Sequence, residues 1–182
     1  MSLTNTTKRY GWISIGLHWV IAIVIIGTFS LGLWMVDLDY YSTWYHDAPA
    51  IHKSIGVCLV GLMLIRLLWL WANPTVGPIE RHSKLITLAA RSVHRLFYIL
   101  VFSLGISGYL ISTAEGQGID IFDWFTLPAL LPEIEDQADR AGEVHYWIAI
   151  SLIGLTILHF LAALKHHFID KDETLKRMLK GV

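Results

Sequence analysis

Residues 143–167 read EVHYWIAISLIGLTILHFLAALKHH, an apolar run with a histidine towards each end. About 20 apolar residues in a helix are enough to cross a hydrocarbon core about 30 Å thick. Within the run, His145 and His159 are 14 residues apart. At about 100° per residue that spacing is roughly four turns, about 40° short, so both imidazoles leave one face of the helix. Along the axis they stand about 21 Å apart. One helix thus offers a ligand-type side chain near each side of a membrane. If both histidines are ligands, the protein holds two metal centres, one above the other.

The rest of the composition agrees with a membrane setting. Of 182 residues, 54% are hydrophobic and only 16% are charged. A soluble domain carries about a quarter charged residues. Eight Trp and seven Tyr suit a chain with two interfaces, where amphipathic rings collect. The single cysteine, Cys58, excludes a disulfide within the chain, and no Cys-x-x-Cys-His is present for covalent haem attachment. Nine histidines against one cysteine make imidazole the available ligand. No nucleic-acid partner is expected.

Working outward, the polar start of the chain leads into an apolar run from Trp12 to Val36. It is too long for a signal peptide, lacks a small-residue cleavage site and contains His18, so it reads as an uncleaved first span. A second span covers about 50–72, with His52 and Lys53 at its start and Arg66 near its end. Asn73-Pro-Thr-Val-Gly-Pro78 stops it. A third span covers about 91–113 with His94 in its first turn, and the fourth covers about 143–167. Between them, residues 114–142 read as an acidic connection. The expected fold is all-α, a four-transmembrane-helix up-down bundle formed by one domain over residues 1–182.

Charge assigns the sides. Twelve of the fourteen Lys and Arg residues, including Arg66, Arg81 and Lys84, fall on the side of the N-terminus, the middle loop and the C-terminal tail. Only Lys53 and Arg140 fall on the other side, with eleven of the fifteen acids. The positive-inside rule then puts both termini in the cytoplasm of a multi-pass protein.

Ionisable groups inside spans are costly and mark function. Depth sorts the histidines into pairs. His52 and His145 are both shallow on the outer side. By the helical rise, His18 is about 9 Å and His159 about 10 Å from the inner side, which pairs them. His94 is the rival partner for His159, at about 4–5 Å counted from Arg91. Two imidazoles on different helices call for a flat, apolar-walled ligand, and haem fits. Gly56, Gly61, Gly105, Gly108 and Gly154 could let a macrocycle approach a backbone. Zinc would prefer three or four ligands at one depth. A lone intramembrane histidine is often a helix–helix hydrogen bond, which does not explain two pairs matched in depth. A proton relay would be expected to include an acid mid-membrane, and none is seen. His46 and His82 fall in loops, and His166 and His167 at the interface, and none of the four is expected to be a ligand.

Several motifs resemble the prokaryotic cytochrome b561 family of four-helix, dihaem membrane proteins, which includes superoxide oxidase. They are Ser14-Ile-Gly-Leu-His18-Trp, Ile51-His52-Lys-Ser-Ile-Gly56, Ile65-Arg66-Leu-Leu, His94-Arg-Leu-Phe-Tyr98, Val144-His145, Leu158-His159 and Leu164-Lys-His-His167. The tail Lys171-Asp-Glu-Thr-Leu175-Lys-Arg-Met178 looks similar too, so the likeness covers almost the whole chain. The resemblance implies two haem b groups, on His18/His159 at the inner side and His52/His145 at the outer side, these four being the axial ligands of iron. It also implies electron transfer across a bacterial inner membrane, with superoxide or a soluble carrier as the outer donor and ubiquinone as the inner acceptor.

Further roles follow as expectations of that resemblance. His94 with Arg81 or Lys84 would form the quinone site, an imidazole holding a carbonyl oxygen and a cation stabilising developing negative charge. Arg81 and Lys84 also serve as topology signals that contact anionic lipid. Arg66 either snorkels to the interface or partners a haem propionate. Lys53, beside His52, would aid access to the outer haem. Steering superoxide calls for positive potential at the mouth, whereas acidic outer loops suit a basic soluble carrier. The alternative function is that of a cytochrome b anchor subunit passing electrons from a docked dehydrogenase or hydrogenase to quinone.

Overall fold

A computed structural model describes residues 2–79 and 82–181. Its long helices are α1 (Trp12–Val36), α2 (Asp47–Ala72), α3 (Lys84–Ser112) and α4 (Gln137–Phe168). A hairpin of β1 (Ile119–Ile121) and β2 (Phe125–Leu127) precedes α4, and a short α5 (Thr174–Lys180) follows it. The four long helices have 25, 26, 29 and 32 residues, each long and apolar enough to cross a membrane. This is the all-α, four-span architecture the apolar runs predict.

The helices overrun three of those runs. α2, α3 and α4 begin three, seven and six residues before the expected spans. Hydropathy marks what lipid accepts, and a helix continues into the interface wherever its polar residues allow. At α3 the start is set by Ser83, whose Oγ accepts a hydrogen bond from Ile86 N at 3.3 Å, an N-cap. In α2, Pro49 sits in the first turn, where a missing N–H costs nothing.

Two compact units divide the chain, each containing part of all four long helices. The first comprises Met1–Ala22, Leu62–Tyr98 and Gly154–Val182. Its polar segments are tied by hydrogen bonds. Asn5 Oδ1, buried, accepts from Gly11 N (2.9 Å) and from Ser14 Oγ (2.7 Å), and Trp69 Nε1 donates to Ser14 Oγ (2.9 Å). A Cβ on Gly11 would collide with the backbone of Leu3 and Thr4. The tail is held by Trp19 Nε1 donating to Met178 O (2.7 Å) and Arg177 Nη1 donating to Gly77 O (2.8 Å). Tyr10 is pushed up in pKa by burial, against the opposing pull of Arg177 and Arg66.

In the same unit the Asp172 side chain is 5% exposed. Burial alone would raise its carboxyl pKa, but hydrogen bonds from His82 and Thr174 outweigh burial and hold it well below the usual range. A depressed acid stabilises the fold above its unfolded pKa, about 3.9 for Asp, and loses that contribution as pH falls through the folded value. The thermal midpoint of the protein is therefore expected to fall as pH drops below about 4. Asp172→Asn should start lower and lack that part of the slope, which a melting series from pH 7 downwards would measure.

The second unit comprises Ile23–Gly61 and Ile99–Ile153. Its buried side chains include Ile25, Leu59, Val101, Ile121 and Leu152. The expected connection over 114–142 is partly folded: β1 and β2 pair antiparallel with Ile121 opposite Phe125. Phe122 and Asp123 make the turn with φ of 45° and 58°. Ser54 on α2 donates to Asp120 O (3.3 Å) and accepts from Phe122 N (3.2 Å), tying the hairpin to the helix. Tyr109 OH on α3 donates to Pro128 O at 3.0 Å and accepts from Leu130 N at 2.7 Å.

Large apolar side chains face outward in both units. Ile23, Ile106 and Leu158 are 67%, 64% and 65% exposed. An apolar girdle of this kind is a lipid-facing surface.

Candidate functional site

In the second unit, α2 contributes His52 and α4 contributes His145, with ring centroids 6.3 Å apart and planes at 68°. Two imidazole nitrogens bound to opposite sides of one metal at about 2 Å put the ring centres about 6 Å apart. The two rings border a cavity of about 410 Å³ whose walls include Ile25, Val57, Val101, Leu104 and Gly56. That volume falls within the range of cofactor pockets, about 300–1,000 Å³.

The surrounding residues orient the rings. Ser107 on α3 donates its hydroxyl proton to Ser103 O at 2.9 Å. Its oxygen therefore accepts from His145 Nδ1, 3.0 Å away. A proton on Nδ1 leaves the Nε2 lone pair for a metal. Each ring also lies against a glycine. A Cβ on Gly108 would come 3.3 Å from His145 Cε1, and one on Gly32 would come 3.1 Å from His52 Cε1. Thr28 Oγ1 and His52 Nδ1 are buried without a hydrogen-bond partner among the described residues. Paired imidazoles, apolar walls and orphaned polar atoms fit a large flat cofactor. Lys53, exposed, lies at the cavity beside His52.

In the first unit, each long helix supplies one polar group to a second cluster. His18 (α1) and His159 (α4) have centroids 6.2 Å apart with planes at 65°. His94 (α3) comes closer to His159, at 5.6 Å and 68°. Phe97 packs edge-on against His159 at 5.5 Å, and Trp19 against His18 at 5.3 Å. Arg66 (α2) is within electrostatic reach of all three histidines.

Counted from Arg91, the start of the expected third span, His94 is about 4–5 Å deep and His18 is the better match to His159. α3 begins at Lys84, so His94 is ten residues, about 15 Å, into the helix. Counted from the helix starts, His94 is no longer the shallower of the two, since His18 is about 9 Å into α1. His18 stands 6.2 Å and His94 5.6 Å from His159, and the larger value is the nearer to the about 6 Å of two imidazoles on opposite sides of one metal.

The expected quinone site joins His94 with Arg81 or Lys84. Lys84, exposed at the first residue of α3, stands about 15 Å along the axis from His94. Arg81 lies outside the described residues. Of the five glycines expected to admit a macrocycle, Gly108 abuts His145 and Gly105 abuts Val60 Cγ2, which a Cβ would meet at 2.6 Å. Gly56, Gly61 and Gly154 have nothing within 4 Å of a Cβ position. Ser107 and Gly32 were not legible as site residues, since neither carries a ligand-type side chain.

Residues 9–181 match the family described as prokaryotic cytochrome b561. The cytochrome b561 homolog 2 of Escherichia coli is 54% identical over 179 residues, covering 98% of this chain and 95% of its own length. The probable superoxide oxidase CybB of Yersinia pestis is 32% identical over 177 residues, covering 94% and 96%. The cytochrome b561 homolog 1 of Escherichia coli is 25% identical over 174 residues, covering 94% and 97%.

Proposed function

The chain belongs to the prokaryotic cytochrome b561 family, and on that premise we propose that it is a dihaem electron-transfer oxidoreductase of the bacterial inner membrane. Electrons enter from a periplasmic donor, superoxide or a basic soluble carrier, and leave to ubiquinone at the cytoplasmic side. The observation that carries this reading is the pair of matched imidazole separations, 6.3 Å for His52/His145 and 6.2 Å for His18/His159. These four residues are proposed as the axial ligands of two haem b groups.

His52 with His145 and His18 with His159 would each hold a b-type haem, which would supply reversible one-electron chemistry. The protein supplies the rest. Ser107 keeps the proton of His145 on Nδ1, and Gly32 and Gly108 let each outer ring lie against a helix backbone. Apolar walls keep water from the cavity. Lys53 places the cation of the outer site beside His52, offsetting the acidic outer loops for an anionic donor. Arg66 would pair with a propionate at the inner site. His94, nearer to His159 (5.6 Å) than the about 6 Å expected of two imidazoles on opposite sides of one iron, is the donor to a quinone carbonyl. The distribution of Lys and Arg supports cytoplasmic termini. Superoxide as donor is supported by the relative named a probable superoxide oxidase, and a basic carrier by the acidic outer loops.

The reading is tested with the purified protein alone. A reducible bis-histidine haem spectrum is expected, with haem reduced by superoxide and reoxidised by ubiquinone. Absence of a haem signal would overturn the reading. A haem signal inert towards both superoxide and ubiquinol would favour the anchor-subunit role. Ser107→Ala removes one orienting partner, which for metal sites weakens retention by about 10–100-fold. Transfer of haem to apomyoglobin should therefore quicken for one haem of the two and leave the other unchanged.

A further inference from the structure

We propose that His82, His166 and Asp172 form a binding site for a divalent transition-metal ion, Zn2+ by the chemistry of its donors, separate from the paired histidines. His82 lies in the connection before α3, His166 in the last turn of α4 and Asp172 in the turn before α5. Asp172 Oδ2 is 2.8 Å from His82 Nε2 and 2.8 Å from His166 Nδ1. All three ligand atoms lie within 4.8 Å of one another. The side chains are 15%, 16% and 5% exposed, so the donors are sheltered yet reachable from water.

The donor set selects the ion. Two imidazole nitrogens and one carboxylate oxygen, with a fourth position open, make a zinc set. Calcium and magnesium take oxygen ligands. With metal–ligand bonds of about 2.0–2.2 Å in a tetrahedron, neighbouring donors stand about 3.3 Å apart. Each 2.8 Å contact therefore opens by about half an ångström to admit the ion. Asp170 Oδ2, 3.0 Å from His166 Nδ1, or a water takes the fourth position.

The backbone is shaped to present the carboxylate. Lys171 has a φ of 53°, a left-handed conformation uncommon for a residue with a side chain. It returns the chain so that Asp172 N donates to His166 O at 3.0 Å. Asp172 Oδ1 accepts from Thr174 N at 2.8 Å, leaving Oδ2 turned to the two rings. Those rings are 4.8 Å apart by centroid and tilted 36°. When the ion enters, each neutral ring carries its proton on the nitrogen away from the metal, and a charged ring releases one to water. No electron moves.

The test uses full-length, haem-loaded protein in detergent, freed of metal with a chelator, titrated with zinc sulfate and desalted. Expected are one zinc per chain and an unchanged haem spectrum. Removing a ligand should weaken retention more than removing an outer partner, which costs about 10–100-fold, so Asp172→Asn and His82→Gln should each bind at least about a hundredfold more weakly. Failure of the wild-type protein to retain zinc would leave the cluster as a hydrogen-bonded clamp only and overturn the proposal. Equal retention by both variants, or uptake that follows haem loss, would overturn it as well.

Discussion

His145→Ala is expected to lower the haem content from two groups per chain to one and to stop electron entry from the outer side. The ring it removes lies 6.3 Å from His52 by centroid and is oriented by a hydrogen bond from Nδ1 to Ser107 Oγ. Truncation leaves His52 facing a cavity of about 410 Å³ that has lost one ligand and gained more space. Haem released into an apolar cavity with one ligand would be high-spin and readily lost. His52→Ala should give the same loss, because neither imidazole holds the iron in a bis-histidine state alone. The pyridine haemochrome assay reads the stoichiometry, and about half the wild-type absorbance is the expected value for two equivalent groups. Retention of both haems in either variant would break the assignment of the outer pair. Folding is checked by the second haem, since a folded variant keeps the spectrum due to His18 and His159.

The second large effect separates His94 from His18. Both rings approach His159, at 5.6 Å and 6.2 Å. If His18 is the ligand, His18→Ala and His159→Ala each abolish the inner haem, whereas His94→Ala keeps both haems. Its loss should then appear at the acceptor: a hydrogen-bond donor aimed at developing negative charge is worth about 10²–10³-fold in rate. Reduction of ubiquinone by the pre-reduced His94→Ala protein is expected to slow by about 10²-fold, with the haem spectrum intact. Loss of the inner haem in His94→Ala, with retention in His18→Ala, would reverse the pairing. His94→Gln, which can still donate a hydrogen bond, should recover part of the rate if the role is hydrogen bonding to a carbonyl.

How much was legible before the structure depends on which interaction does the positioning. α1 coincides with its apolar run, Trp12–Val36. α3 does not, since Ser83 caps a helix that begins at Lys84, seven residues before the apolar run at 91. The hairpin at Ile119–Leu127 gave no warning. Its strands are three residues each, and its turn is Phe122-Asp123, with no glycine to signal positive φ. It exists because Ser54 and buried Ile119 and Ile121 hold it on the second unit.

The helix that carries His145 and His159 illustrates the division. Sequence alone determined the membrane-length run, the 14-residue spacing and hence the shared face, because these depend on covalent order and the helical repeat. It also determined which residues can bind a metal, since imidazole chemistry is local. Only tertiary structure supplied the separations between the rings: depth pairs His18 with His159 in the sequence, and packing sets His18 at 6.2 Å and His94 at 5.6 Å from that ring. The same holds for Ser107, Gly32 and the cluster of His82, His166 and Asp172, distant in sequence and joined by the fold. Helical periodicity is a property of neighbours along the chain, whereas a site made by several helices depends on side-chain volumes that no single segment contains.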